Sequence, residues 1–281
     1  MSSAVPTPAL LSARLSVAYS GKEVLRNLQL EIQGGEVLGL VGQSGSGKST
    51  LAMAILGLLD KKKARTEGAI IFQDELQGHD LLRLSERELR SLRGRAISLV
   101  LQSPLSSLNP ALRIRTQLNE AWRAHATGSN AECEEAIRNS LQSVSLPANS
   151  DFLRKYPSQM SVGQAQRVLI AMAILHRPLL LIADEATSAL DVITQSEILT
   201  LFRMLNRSIG MAILYISHDL ASVAGICDRI AILHQGEIVE CAATAQIFTS
   251  PQHLYTQQLM AALPRILQAQ PVGASQAATA R

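Results

Sequence analysis

The sequence contains few cysteines and little excess charge, and both shortages exclude classes of protein. Its three cysteines, Cys133, Cys227 and Cys241, lie too far apart to form a metal-binding knuckle. Their odd number is typical of proteins from a reducing compartment. The net charge is +3 and the isoelectric point is near 8.9, which gives little reason to expect a nucleic-acid partner.

The sequence also lacks a long hydrophobic run. Its most apolar stretch, residues 168–183, is interrupted by His176-Arg177-Pro178. Each remaining part is far shorter than the ~20 apolar residues that a membrane-spanning helix needs. No basic stretch at the N-terminus leads into an apolar one, so we expect no signal peptide. The chain is therefore expected not to cross a membrane, although it can lie against one.

Hydrophobic residues make up 47% of the 281 positions, which is enough for a large core in one domain or in a domain with a subdomain. Apolar patterns predict strands at residues 13–19, 24–32, 36–41, 70–72, 97–101, 179–183, 213–217 and 229–233. Helical spacing predicts helices at residues 48–59, 85–93, 164–175 and 193–207. Strands that alternate with helices predict a mostly parallel α/β core, and the first two strands predict an antiparallel hairpin.

Three segments depart from this pattern. Residues 103–161 contain four prolines and many polar turns, which predict an inserted helical subdomain. The basic run Lys61–Arg65, followed by Thr66-Glu67-Gly68 as a turn, is interpreted as a solvated loop, with a phosphate-rich partner as the alternative. Residues 270–281 are rich in small and polar side chains and are predicted to be disordered.

A glycine-rich polar segment lies between the predicted strand 36–41 and the predicted helix that follows it. It fits the pattern G-x-x-x-x-G-K-[ST], in which inward-turned backbone N–H groups and a helix N-terminus bind phosphate. We predict that this phosphate loop binds a nucleoside triphosphate; its residues are Gly42, Gln43, Ser44, Gly45, Ser46, Gly47, Lys48, Ser49 and Thr50. In the pattern, Lys48 reaches the outer phosphates and Ser49 binds Mg²⁺. The alternative is a glycine-rich turn that only connects two elements.

The apolar strand 179–183 ends in two adjacent carboxylates, Asp184 and Glu185. Asp184 is predicted to bind Mg²⁺ through water, and Glu185, which points the other way, to polarise an attacking water. The alternative is an apolar strand that happens to end in an acidic turn. His218 ends another apolar strand, and such a histidine taken alone is more often structural than functional.

Together with three further motifs, these segments resemble the ATP-binding cassette (ABC) ATPase family over about residues 10–265. The segment Ser161–Arg167, here called the signature segment, resembles the family's S-G-G-Q-x-Q-R. Ser188–Asp191 resembles its D-loop, and Ser217-His218-Asp219 contains a histidine at the position of its switch histidine. The cofactors implied are ATP and Mg²⁺.

The resemblance also implies roles for single residues. Gln102 is expected to contact Mg²⁺ and to sense the membrane partner, and Tyr19 to stack on adenine. His218 is expected to contact the γ-phosphate. In the family two chains pack head to tail, so Ser161, Gly163 and Gln164 are expected to act on ATP held by the other chain. Asp191 is expected to belong to the D-loop.

The fold implied by the resemblance is α/β: a P-loop NTPase (RecA-like) core with a mostly parallel sheet, an antiparallel β subdomain at the N-terminus and an inserted helical subdomain. Residues 1–269 are expected to form a single ABC ATPase domain. Its core is expected at 10–102 and 165–245, the helical subdomain at about 103–164, and a C-terminal extension at 246–269.

Two positions depart from the family pattern. Val162 replaces the first glycine of the signature, and Ala186 stands where a proline often follows the catalytic glutamate. A β-branched residue tolerates positive φ poorly. Either Val162 has ordinary dihedral angles, or its contact with the partner's γ-phosphate is weakened. The change at Ala186 is interpreted as minor.

A finer resemblance concerns the subfamily. Leu101–Pro110, and the segments Ile247–Thr256 and Leu259–Pro264, resemble stretches of the ATPases that power import of di- or oligopeptides or of nickel. This implies a peripheral position on the cytoplasmic face of the plasma (inner) membrane. The implied partners are integral-membrane permease subunits, a second ATPase subunit (identical or related) and, indirectly, an extracytoplasmic substrate-binding protein. The cysteine-rich tail of some relatives is missing, so no metal cluster is expected.

Two other functions are kept open. One is a soluble, non-transport ABC ATPase that acts on ribosomes or DNA, although the second cassette or coiled-coil insertion of such proteins is missing. The other is a regulatory nucleotide-binding subunit that hydrolyses ATP poorly, which the valine in the signature suggests. A P-loop kinase or GTPase explains neither the signature nor the switch histidine.

Overall fold

The computed structural model describes residues 8–74 and 77–262, so the predicted disordered tail at 270–281 lies outside the described residues. The strands are β1 Leu11–Tyr19, β2 Lys22–Ile32, β3 Val37–Val41, β4 Ala64–Gln73, β5 Gly78–Asp80, β6 Ile97–Val100, β7 Leu180–Asp184, β8 Ala212–Ser217, β9 Arg229–His234 and β10 Glu237–Ala243. The helices are α1 Lys48–Ile55, α2 Glu86–Leu92, α3 Pro104–Ser107, α4 Ile114–Arg123, α5 Asn130–Ser143, α6 Ser150–Leu153, α7 Val162–Ile174, α8 Val192–Ile209, α9 Leu220–Ile226, α10 Thr244–Thr249 and α11 Leu254–Ala261. A 3-10 helix covers Pro157–Gln159.

The N-terminal strands form an antiparallel sheet in the order β2-β1-β4-β5. The predicted hairpin between β1 and β2 is confirmed. Ser20 and Gly21 have φ angles of 49° and 82°, and positive φ at both central residues is what a tight hairpin turn requires.

The basic run and the turn predicted after it are only partly correct. Lys61–Lys63 forms an exposed turn, but β4 already begins at Ala64. Thr66-Glu67-Gly68 lies inside β4 and not in a turn, because β4 pairs with β1 over the full length of β1. The predicted strand at 70–72 is therefore only the buried end of a longer strand.

The second sheet has the order β10-β9-β3-β8-β7-β6, and its strands from β9 to β6 are parallel. The predicted parallel core is thereby confirmed. β10 pairs antiparallel with β9 and was not predicted. Its sequence, EIVECAA, is largely half-buried or exposed and lacks a regular apolar alternation, so it carries little strand signal.

The parallel sheet separates two hydrophobic cores, because successive side chains of a strand point to opposite faces. On β8, Ile213 and Tyr215 pack with the helices on one face. Ala212, Leu214 and Ile216 pack on the other face with α1 and the antiparallel sheet. A strand that is buried on both faces reads as a continuous apolar run, which is why β3, β7, β8 and β9 were predictable.

The connection from β6 to β7 consists of helices, with Trp122 of α4 and Ile137 of α5 buried against the core that includes α7. α5 has 14 residues and is the longest helix of this connection. α7 begins at Val162, so it crosses the expected boundary between residues 164 and 165. The division into core, helical subdomain and extension remains a prediction. No helix within residues 8–74 and 77–262 is both long and apolar enough to span a bilayer.

The two sheets meet where β2 lies beside β10. The backbone N–H of Arg26 donates a 2.9 Å hydrogen bond to Gly236 O. A Cβ on Gly236 would lie 2.5 Å from Val24 O, so the close approach of the two sheets requires a glycine at this position.

Candidate functional site

Four neighbouring strands of the parallel sheet end at the same edge, and predicted site residues follow each of them. β3 leads into the phosphate loop, β8 into His218 and β6 into Gln102, while β7 ends at Asp184 and is followed by Glu185. Open α/β sheets bind ligands at the carboxyl ends of their strands. The topology therefore collects residues that are distant in sequence into one candidate site.

The phosphate loop depends on glycine for two different physical reasons. Gly45 and Gly47 have φ angles of 78° and 111°, a left-handed conformation that costs energy for other residues. At Gly42 the reason is a lack of space, because a Cβ there would lie 2.3 Å from Leu233 O. At Gly47 a Cβ would also lie 2.5 Å from Leu25 Cδ2. The loop is thus held between β9 and β2.

Lys48 is the first residue of α1 and is 5% exposed. Its Nζ donates to Gly42 O at 2.8 Å and to Gln43 O at 3.0 Å, so the lysine folds back over the loop. Burial lowers the pKa of Lys48, and the nearby carboxylates of Glu185 and Asp184 oppose this shift. A cation that has been partly removed from water gains more from an anionic ligand than an exposed one does.

Asp184 and Ser49 offer a ligand set that fits Mg²⁺. Asp184 is buried, and its Oδ1 has no hydrogen-bond partner among the residues that the structure describes. Burial raises the pKa of Asp184, and a hydrogen bond from the Ser49 side chain opposes the rise. An unpaired carboxylate oxygen beside a serine hydroxyl matches the preference of this hard cation for oxygen ligands.

Glu185 and His218 form a pair at the carboxyl ends of β7 and β8. His218 Nδ1 lies 3.2 Å from Glu185 Oε1, with the two side chains 58% and 24% exposed. Glu185 has a φ of 49°, and its backbone N–H donates to Ile216 O at 3.0 Å. A non-glycine residue in this conformation costs about 1–2 kcal/mol, so the fold holds the carboxylate in position against strain.

The turn after Glu185 is fixed by Ser188, which belongs to the D-loop motif, and by Thr187 and Tyr215, which no predicted motif contains. Ser188 Oγ donates to Glu185 O at 3.0 Å. Thr187 Oγ1 and the Tyr215 hydroxyl form a buried 2.8 Å hydrogen bond. Thr187 and Ser188, two neighbouring hydroxyl residues separated from the carboxylates only by Ala186, were a possible signal. Tyr215 gave none, because it lies within an apolar strand and resembles an ordinary core residue.

Tyr19 and Gln102 lie on elements next to the site. Tyr19 ends β1, is half-buried, and its hydroxyl accepts a 3.3 Å hydrogen bond from Asp60 N–H. Gln102 is exposed beyond the end of β6. Both side chains are accessible to a ligand, and their contacts with adenine and Mg²⁺ remain predictions.

The signature segment begins α7 with a reciprocal cap. Ser161 Oγ accepts from Gln164 N–H at 3.2 Å, and Gln164 Oε1 accepts from Ser161 N–H at 3.3 Å. Val162 is the first residue of the helix and is not among the residues with positive φ. The first of the two alternatives therefore holds, and this position has ordinary dihedral angles. Gln166 lies in α7 and is fully buried.

The D-loop adjoins the signature segment. Asp191 caps α8 by accepting hydrogen bonds from Ile193 N–H and Thr194 N–H, and these bonds, above all those from Thr194, lower the pKa of Asp191. A Cβ on Gly163 would lie 2.8 Å from Thr194 Cγ2, so the two helix starts are in close contact. Val192 and Ile193 are 82% and 75% exposed. A pair of exposed apolar side chains beside polar caps is a common feature of protein interfaces.

The chain matches one known family and several curated proteins. The family model described as "ABC transporter" matches residues 25–188. The glutathione import ATP-binding protein GsiA of Salmonella choleraesuis (strain SC-B67) is 39% identical over 258 residues, which cover 90% of this chain and 41% of that protein. GsiA of Escherichia coli O157:H7 is 40% identical over 249 residues, with 86% and 39% covered. The chain spans about two fifths of the length of these relatives.

Solved structures have the same fold and confirm the predicted fold class. The structure of cbiO1 from Clostridium perfringens, part of the ABC transporter complex cbiONQ, has a TM-score of 0.73 and 26% identity, covering 93% of this chain and 98% of that chain. The dimeric ATP-binding cassette MJ0796 in a post-hydrolysis state, bound to ADP and Pi, has a TM-score of 0.70 and 28% identity, covering 83% and 98%.

Proposed function

The chain belongs to the ABC transporter family, and from this premise we propose that it is the ATP-hydrolysing subunit of an importer for short peptides or nickel. It would dock on the cytoplasmic face of separate integral-membrane permease subunits. An extracytoplasmic binding protein would deliver the cargo to those permeases. Within this assembly the chain supplies energy and does not select the cargo.

One observation carries the proposal. Lys48, Asp184, Glu185 and His218 meet at one edge of the sheet, whereas the capped signature segment lies against the D-loop with its serine exposed. The first set can hold a triphosphate and activate water. The second set presents a serine hydroxyl, a helix N-terminus and exposed apolar side chains to a partner. If two such chains pack head to tail, each nucleotide is enclosed between the first set of one chain and the second set of the other.

The residues at the sheet edge divide the work of hydrolysis. Backbone N–H groups of the phosphate loop and Lys48 bind the phosphates. Ser49 and Asp184, with Gln102 nearby, would hold Mg²⁺, which when bound neutralises phosphate charge. Glu185 accepts the proton of the attacking water, and His218 holds the carboxylate through the Nδ1 contact and contacts the γ-phosphate. Loss of that phosphate removes the bridge between the two chains, which then separate.

The choice of cargo rests on the relatives. GsiA is named for the import of glutathione, which is a tripeptide, and the stretches Leu101–Pro110 and Ile247–Thr256 resemble peptide and nickel importers. A short peptide, glutathione included, is therefore the first candidate, and nickel is the second. The second ATPase would be either another copy of this chain or a related subunit.

Dimer formation provides the first test. We expect the full-length Glu185→Gln variant to double its mass in light scattering when saturating ATP is added without magnesium, either alone or with a second ATPase subunit encoded nearby. The matched control carries Glu185→Gln and Lys48→Ala together and should stay monomeric. Chains that remain single with ATP, or that pair equally well without it, contradict the head-to-tail site.

Cargo provides the second test. The chain would be purified with the permeases and binding protein encoded by neighbouring genes and placed in liposomes. We expect ATP hydrolysis and uptake to rise together when a dipeptide or glutathione is supplied, with Ni²⁺ as the comparison. Hydrolysis that responds to none of these, or co-purification with ribosomes in place of permeases, contradicts the importer proposal and favours a non-transport ATPase.

The regulatory alternative loses its main support. It depended on strain from a valine at a glycine position, and Val162 has a helical backbone without that strain. Steady-state ATPase measurements on the permease complex test it directly. A wild-type complex that hydrolyses ATP no faster than Glu185→Gln would favour the regulatory function.

A further inference from the structure

Helix α11 approaches the phosphate loop through the aromatic residue Tyr255. The ring of Tyr255 stacks on the ring of His234, with centroids 3.7 Å apart and an angle of 27° between the planes. His234 ends β9, and the preceding Leu233 supplies the carbonyl that confines Gly42. Tyr255 is 8% exposed. The stack therefore fixes a phenol beside the start of the phosphate loop.

Several bonds hold α11 in this place. Both oxygens of Glu240, on β10, accept backbone hydrogen bonds, from Gln252 N–H at 2.9 Å and from His253 N–H at 3.0 Å. His253 Nδ1 in turn accepts from Tyr255 N–H at 3.2 Å and caps the helix. A carboxylate that receives two backbone donors is a strong anchor. The position of Tyr255 is thus set by the sheet and not by its own helix alone.

The hydroxyl of Tyr255 is incompletely bonded. Among residues 8–74 and 77–262, no group completes a hydrogen bond to it with normal geometry, although it is buried. The backbone N–H of Gln43 interacts with it, and this interaction opposes the rise in the pKa of Tyr255 that burial causes. A buried hydroxyl without a full bond is unfavourable, so a small movement that completes the bond is favoured.

The N–H group that interacts with the Tyr255 hydroxyl belongs to the first peptide unit of the phosphate loop. The peptide between Gly42 and Gln43 has its carbonyl held by Lys48 Nζ at 2.8 Å. Its N–H is the one that faces Tyr255. Lysine holds the carbonyl end of this peptide plane, and the tyrosine hydroxyl faces the N–H end. The orientation of the plane determines where the first N–H groups of the loop point.

We propose that Tyr255 is a positioning residue of the phosphate loop, whose hydroxyl accepts a full hydrogen bond from Gln43 N–H when the loop closes on a triphosphate. This inference rests on the proposed binding of ATP by the loop. The bond forms in the bound state and not before, so it increases the affinity for ATP without changing the stability of the free chain.

The experiment compares full-length wild type with Tyr255→Phe, which keeps the ring and its stack on His234 and removes only the hydroxyl. We expect the affinity for ATP, measured by competition with a fluorescent ATP analogue, to fall about two- to tenfold, the effect of one net hydrogen bond. The melting temperature without ATP should not fall, because the hydroxyl that is removed lacks a full hydrogen bond in the free chain. Tyr156→Phe is the matched control, because the Tyr156 hydroxyl bonds to Arg113 outside the site.

A spectroscopic measurement separates this role from a merely structural one. In protein labelled with ¹⁵N-glutamine, the amide proton of Gln43, assigned by its absence in Gln43→Asn, should move downfield on adding ATP in wild type and less so in Tyr255→Phe. Unchanged affinity, an equal response of that proton in both proteins, or an equal loss of stability with and without ATP would overturn the inference. A wild-type chain that binds no ATP contradicts the proposed function itself.

Discussion

The phosphate loop and the signature segment both lie at the N-terminus of a helix, yet the chain builds them in opposite ways. The loop before α1 is confined by β9 and β2, and its lysine is 5% exposed. The start of α7 is held by a local serine–glutamine cap, and Val162 is 38% exposed. One helix start is enclosed by other parts of the chain, and the other is exposed at the surface.

This difference indicates how the two surfaces divide the work. Confinement prepares the phosphate loop before a ligand arrives, which reduces the entropy that binding costs. The exposed helix start gains most of its contacts only when a partner covers it. Substitutions at the phosphate loop and the residues beside it should therefore change hydrolysis and folding within one chain. Substitutions in the signature segment should change the association of two chains.

The largest effect is expected at the pair formed by Glu185 and His218. Glu185→Gln should lower the steady-state rate of ATP hydrolysis about 10²–10⁴-fold, because an amide cannot accept the proton of the attacking water. ATP binding should persist, since the phosphate loop is unchanged. A malachite-green phosphate assay beside a nucleotide-binding assay measures both, and a variant with near wild-type turnover contradicts the assigned role.

The confinement of the phosphate loop is tested by two glycines that differ in kind. Gly42→Ala should destabilise the chain by about 3 kcal/mol or more, because the new methyl group overlaps a backbone carbonyl. Gly45→Ala should cost about 1–2 kcal/mol from its positive φ alone, since nothing lies within 4 Å of the added carbon. Urea unfolding gives both values. Equal losses, or a larger loss at Gly45, would show that space does not limit the loop.

The signature segment is tested with a variant that keeps the helix cap but alters the contact expected across the dimer. Ser161→Asp keeps a capping oxygen, so its melting temperature should match wild type, but its charge would repel a γ-phosphate held by the partner. We expect at least about a tenfold fall in ATP-driven dimerisation, which is 1.4 kcal/mol. Ser161→Ala should instead lose about 1 kcal/mol of stability. An aspartate variant that dimerises normally would remove this surface from the site.

The smallest effect is expected at Val162, where the sequence departs from the family's signature pattern. Val162→Gly restores the usual glycine, yet Val162 already has helical dihedral angles. Hydrolysis by the dimer or permease complex should therefore change by less than about twofold, a difference under ~0.5 kcal/mol. A large gain in activity would show that the valine side chain, and not its backbone, limits the contact with the partner.

The sequence predicted the parts of this fold that depend on local pattern. Continuous apolar runs indicated the strands buried on both faces, and the glycine spacing indicated the loop before Lys48. It did not predict β10, whose side chains are mostly half-buried, or the length of β4, which is set by pairing with β1. Such features depend on contacts between distant segments, and hydrophobic periodicity does not encode them.

The same distinction applies within the candidate site. Lys48, Asp184 and Glu185 belong to short motifs and were identified from their neighbours in sequence. Tyr215 and Tyr255 resemble ordinary apolar residues in their local sequence, and their hydroxyl groups acquire importance only through Thr187 and Gln43. The positive φ of Glu185 likewise results from the turn that the folded chain makes there, and no residue type in the sequence indicates it.

The junction between β2 and β10 has a consequence for how the protein behaves at high concentration. Each of these strands is the margin of its own sheet, and the two lie side by side with a backbone hydrogen bond from Arg26 N–H to Gly236 O, so each hinders the approach of a further strand to the other. The opposite margins, β5 and β6, are three and four residues long. Strands this short are poor templates for intermolecular pairing, which protects a chain with two sheets from edge-to-edge aggregation.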